Sequence, residues 1–150
     1  MSQTPSAADA ELILKLYDLR REAELRKARS WLFGFWPEKA DDVVKLAMAV
    51  GSQENAWFRQ VSGYWEMAAA LVLHGTVNRD LFLEPSISGE MFFIFAKIQP
   101  FLGELREKLR SPTIFGNVER LIMTSQGGPE RLQQIQERQA RMRKATQSVA

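Results

Sequence analysis

The chain has 150 residues, 45% of them apolar and 25% charged, with 20 basic and 18 acidic side chains, one histidine and no cysteine. That length suits a single domain able to bury roughly two thirds of its unfolded surface, and the composition is that of a globular chain rather than a disordered or membrane one. The missing cysteine excludes disulfides, thiolate metal sites and thiol nucleophiles, and one histidine removes the His pairs of most zinc sites, leaving only carboxylate sites for a hard cation.

The opening residues, Met1 to Glu11, lack the basic and apolar regions of a signal peptide, so export by that route is not expected and the cytoplasm is the expected address. The longest apolar runs begin at Met67 and Met91 and cover 67–73 and 91–96. Both fall far short of the roughly 20 residues that span a bilayer.

Proline and glycine divide the chain into helix-length segments, and apolar residues do not alternate with polar ones as strands require. The pattern predicts an all-α fold of about five to seven helices. Residues 6–33 read as one long helix, capped near Thr4 or Ser6 and closed at Gly34. Two apolar stripes run along it, Leu12, Leu16, Leu19, Ala23 and Leu14, Tyr17, Leu25, Ala28, Leu32, which predicts two neighbours. Pro37 is expected at the first position of a second helix, with Val43, Leu46, Ala47 and Val50 on its buried face and Gly51 as its end.

Ser52 is then the cap of a central core helix over 52–73, with Trp57, Phe58, Val61, Trp65, Ala68, Ala69 and Val72 on one face and the exit at His74-Gly75. Asn78 caps a short turn of helix over 79–83, which Pro85 breaks. Ser86 or Ser88 caps the next helix, kinked or interrupted at Pro100 because proline lacks the amide that would bond to Ala96. A short helix follows over 118–125. Gly127-Gly128-Pro129 reads as a hinge, and 130–144 as a helix of strong formers with few apolar residues, expected to pack weakly or to leave the body. The expected organisation is a helical domain over 6–125 and a hinged basic helix or tail over 126–150.

The charge is uneven: neutral over 1–50, −2 over 51–100 and +4 over 101–150. Arg131, Arg138, Arg141, Arg143 and Lys144 supply most of the last excess and are candidates to contact an anion, whether nucleic acid or an acidic surface. No aromatic residue accompanies them for base stacking, which favours a solvated helix or a protein-binding tail. Trp31, Phe35, Trp36, Phe92 and Phe93 are the candidates for contact with a partner, because one helix face cannot hide all these rings; the alternative is that the 91–95 run is surrounded inside the domain.

No phosphate loop, nucleophile elbow or di-iron signature occurs. Glu66 is the best isolated carboxylate, read as a solvated or ion-paired face residue near Arg59. His74 reads as a residue at the negative end of a helix. The expectation is therefore a non-enzymatic protein that binds a protein partner or itself, with no catalytic residue, cofactor or metal. Anion binding through the terminal helix and an enzyme with an unrecognised carboxylate site are the alternatives.

Residues 57–84 add a resemblance. The helix carrying Trp65-Glu66, its end at Gly75 and the following Asp80-Leu81-Phe82 turn resemble a pattern seen in small bacterial all-helical proteins of unknown function. The resemblance implies a helical fold and a bacterial source, and transfers no functional residue.

Overall fold

In the computed structural model, residues 3–149 are described. Among them are nine α-helical segments, one of only four residues, plus one 3-10 turn, and no strand. The count exceeds five to seven because two segments each counted as one helix are divided, one between α1 and α2 and one at Pro100.

The first division replaces the long helix over 6–33 by α1 (Ala7–Leu19) and α2 (Ala23–Gly34). Neither glycine nor proline marks the break. Instead Glu22 turns into extended backbone and its carboxylate accepts from the Leu25 amide, a side-chain N-cap. Side chains also bond to carbonyls near the break: the Tyr64 hydroxyl donates to Leu16, which also takes the Arg20 amide, and the Arg29 guanidinium to Arg20. The break also divides the labour of the two stripes. On α1, Ile13 and Leu16 are buried and Leu14, Tyr17 and Leu19 are exposed, whereas α2 buries Ala28 and Leu32. The second stripe of α1 is thus largely left at the surface.

α3 (Ala40–Met48) starts three residues after Pro37, so the proline belongs to the preceding loop. Asp42 fixes this start by accepting from the amides of Glu38 and Lys39. α4 (Gln53–Leu73) runs as expected, with Ser52 accepting from Asn55 at its start and His74 followed by left-handed Gly75 at its end. Buried Asn55 donates to the carbonyls of Leu46 and Ala47, tying the end of α3 to the start of α4. α4 packs against α2, α3 and α8 and carries Val61, Trp65, Ala68 and Ala69 through the core.

α5 (Arg79–Phe82) is capped by Asn78. α6 (Pro85–Ile98) opens on Pro85 itself, with Glu84 as its cap, rather than on Ser86 or Ser88. Proline is tolerated there because the first helical amide needs no partner. Pro100 then interrupts the helical course as expected: a 3-10 turn (Gln99–Phe101) leads into α7 (Leu102–Lys108).

α8 is Gly116–Met123 and α9 is Gly128–Val149. α9 lies on α6 and α8 rather than leaving the body. Amide side chains do what apolar residues were too few to do. Gln139 donates to the Phe93 carbonyl and Gln136 to the Ala96 carbonyl, the group that Pro100 leaves without its helical amide. Leu132 is buried beside them. The glycine pair lets the two helices meet, since Gly127 has φ +71° and a Cβ on Gly128 would stand 1.9 Å from the Ile122 carbonyl oxygen.

Candidate functional site

Lys97 is the only charged residue of the apolar 91–98 run, and its side chain turns inward. Nζ donates to the carbonyls of Leu32 at 2.8 Å, Phe33 at 2.7 Å and Phe35 at 2.9 Å. The last carbonyls of a helix lack amide partners and form the negative end of its dipole, so a three-donor ammonium suits the end of α2. Three rings surround the same nitrogen, with centroids at 4.0 Å for Trp36, 4.7 Å for Phe93 and 5.8 Å for Phe33. Burial, assisted by the positive charge of Arg143, pushes the Lys97 ammonium down to about 7.

This cation organises the surface above it. Phe33 stacks on Phe93 at 4.8 Å, and Trp36 meets Phe93 edge-on at 5.8 Å. From α9, the Arg143 guanidinium stands 5.6 Å from the Trp36 ring centroid and 3.5 Å from the Glu38 carboxylate. Phe33, Trp36, Met142, Arg143 and Thr146 line a groove of about 370 Å³. Phe33 remains 58% exposed and Met142 42% exposed.

Of the five aromatic candidates, Trp36 lines this groove and Phe93 supports it from beneath through its contacts with Phe33 and Trp36. Trp31 and Phe35 form a separate, half-buried stack at 5.2 Å, with Trp57 tilted 6.2 Å from Trp31. Phe92 is only 1% exposed and lies under the Arg131 guanidinium at 3.8 Å, which leaves it no surface to offer a partner. Phe33, a member of the ring cluster over 31–36 but not one of the partner candidates, and Lys97 complete the arrangement.

The five basic candidates do not act together either. Arg131 faces the body, donating to the Leu83 carbonyl at 2.8 Å and the Ser88 hydroxyl at 3.0 Å, and burial lowers its pKa. Arg138, Arg141 and Lys144 are exposed, and Arg143 belongs to the groove.

Glu66 is not a solvated face residue. It is half-buried, and its two carboxylate oxygens accept from the amides of Val118 at 2.9 Å and Asn117 at 3.2 Å. It caps α8 from another helix, because Phe115, at the N-cap position with φ 54°, offers no capping oxygen. Glu66 and Arg59 also line an apolar cleft of about 330 Å³ walled by Val43, Phe58, Leu105 and Ile114. Among the described residues, no three His, Asp or Glu side chains gather to hold a metal ion, and no helix is long and apolar enough to cross a membrane.

The family described as a domain of unknown function, DUF4760, matches residues 5–125. The chain belongs to that family. No curated protein and no solved structure matches it. The DUF4760 region takes in α1 to α8, and with them Lys97 and its three rings as well as the resemblance carried by residues 57–84. Met142 and Arg143 come from α9, beyond that region, so the groove joins a DUF4760 face to this chain's C-terminal helix.

Proposed function

We propose that the protein is a non-enzymatic interaction module whose docking face is the groove between Phe33, Trp36, Met142 and Arg143. One observation carries the reading: Phe33 is largely exposed yet fixed in place by its stack on Phe93. An exposed ring with little conformational freedom left to lose is the kind of anchor that dominates protein interfaces. The partner fitting this face is a peptide segment with a large apolar side chain for the groove and acidic residues beside it, complementary to Arg143 and to the exposed Arg138, Arg141 and Lys144 of the same helix. A bacterial cytoplasm suits the reading, since a cysteine-free chain needs no oxidising compartment to fold.

Selection from a random peptide library tests it. The wild-type chain should enrich peptides combining an aromatic or leucine anchor with aspartate or glutamate, and Phe33→Ser should lose them. Peptides that bind Phe33→Ser equally well, or an enriched set without acidic residues, would contradict the proposal.

A further inference from the structure

A second feature lies at the break between α1 and α2, outside the docking groove. Arg20 is the C-cap of α1 and is only 9% exposed. Its guanidinium carbon stands 4.7 Å from the Tyr17 ring centroid and 5.7 Å from that of Trp65. Its Nε is buried without a hydrogen-bond partner. Among the described residues the guanidinium makes no ion pair and donates no hydrogen bond.

The neighbouring acceptor is already committed. The Glu90 carboxylate takes Arg29 at 2.7 Å and the Trp65 indole nitrogen at 3.1 Å. Both arginines and Glu90 bear on the Tyr64 hydroxyl, so the three charges share one neighbourhood with one positive charge in excess. A buried cation that lacks a counter-ion is costly to keep, and the cost disappears when an anion is supplied.

Space for that anion exists. Arg20 faces a cavity of about 40 Å³ lined also by Ile13, Leu16, Tyr17, Trp65 and Ile87. That volume accepts about three water-sized groups, matching the three heavy atoms of a carboxylate. The guanidinium carbon lies over two rings while its N–H groups donate no hydrogen bond, which leaves them to pair with a carboxylate. The remaining walls are mostly apolar, and Tyr17 at the mouth is half exposed.

We infer that this cavity binds the carboxylate of a one- or two-carbon monocarboxylic acid, with Arg20 as its counter-ion. Formate and acetate are the probes, used on the full chain. Each should raise the melting temperature saturably and shift the Arg20 Nε–H resonance downfield, while inorganic phosphate and chloride at equal ionic strength should do neither. Arg20→Met should abolish the thermal shift and Arg20→Lys should weaken binding about tenfold, because an ammonium cannot reproduce the two-pronged contact. The resonance is read on the wild type, so the test survives if Arg20→Met fails to fold. An unmoved Arg20 signal with both acids, an equal thermal shift in Arg20→Met, or an equal effect of phosphate would overturn the inference.

Discussion

Lys97 illustrates how one side chain can bind three elements. Its ammonium ends α2, supports the rings of the 33–36 segment and is anchored on α6. Lys97→Met keeps most of the volume but strands carbonyls in a poorly hydrated place; unfolding in urea should show a loss of about 1–3 kcal/mol. The pH dependence has a defined sign. The folded-state pKa is pushed down to about 7 from 10.5, so between those values the unfolded chain holds a proton that the folded chain has released. Stability contributed by this group should therefore rise from about pH 7 towards about pH 10, fade as pH falls through the folded value, and be missing from the Lys97→Met profile. Glu66 makes a comparable link through two amides. Glu66→Ala should cost about 1–2 kcal/mol and Glu66→Gln less, since glutamine retains an acceptor oxygen without the charge that suits a helix N-terminus. A Glu66→Ala variant as stable as the wild type in urea would show that α8 does not depend on this cap.

At the scale of the element, the junction of α8 and α9 rests on close backbone approach. Gly128→Ala would force a Cβ against the Ile122 carbonyl, which belongs to rigid backbone, so helix separation is required. A loss of about 2 kcal/mol or more is expected. Gly127→Ala meets no atom and incurs only its left-handed backbone, about 1 kcal/mol. Equal melting temperatures for the two variants would contradict this order. The same junction shows which elements were legible in the sequence. α4 was, from Ser52 to Gly75, because both of its ends are set by local chemistry: a hydroxyl cap and a glycine stop. The α1–α2 break was not, because its capping residue is a glutamate and the side chains that bond to carbonyls around it, Tyr64 and Arg29, lie far along the chain or on the next helix. The docking of α9 was hidden for a related reason. It is achieved by Gln136 and Gln139, residues that hydrophobic periodicity counts as solvent-facing. The candidate site was legible as a cluster of rings around 31–36 and 92–93, but the distinction between Phe92, buried under Arg131, and Phe93, which supports the groove rings Phe33 and Trp36, depends on where α9 lies. A lone lysine within 91–98 was the available signal for its centre.

For the whole molecule, α9 completes the body structurally while lying beyond the DUF4760 match. Truncation after Gln126 would uncover Phe92, orphan the Ala96 carbonyl and remove the Met142 side of the groove. The shortened chain should melt well below the full chain, with broadened unfolding; an unchanged midpoint would make α9 an appendage. The groove is thus a joint product of α2, α6 and α9, and its proposed role in docking is the central claim. The most direct measurement places a photo-crosslinking benzoylphenylalanine at Phe33, and as a control at exposed Val50, in the chain expressed in its own host. The account predicts one specific protein adduct from position 33, lost when Trp36→Ala is added, and none from position 50. No adduct from position 33, or the same adduct from both positions, would contradict it.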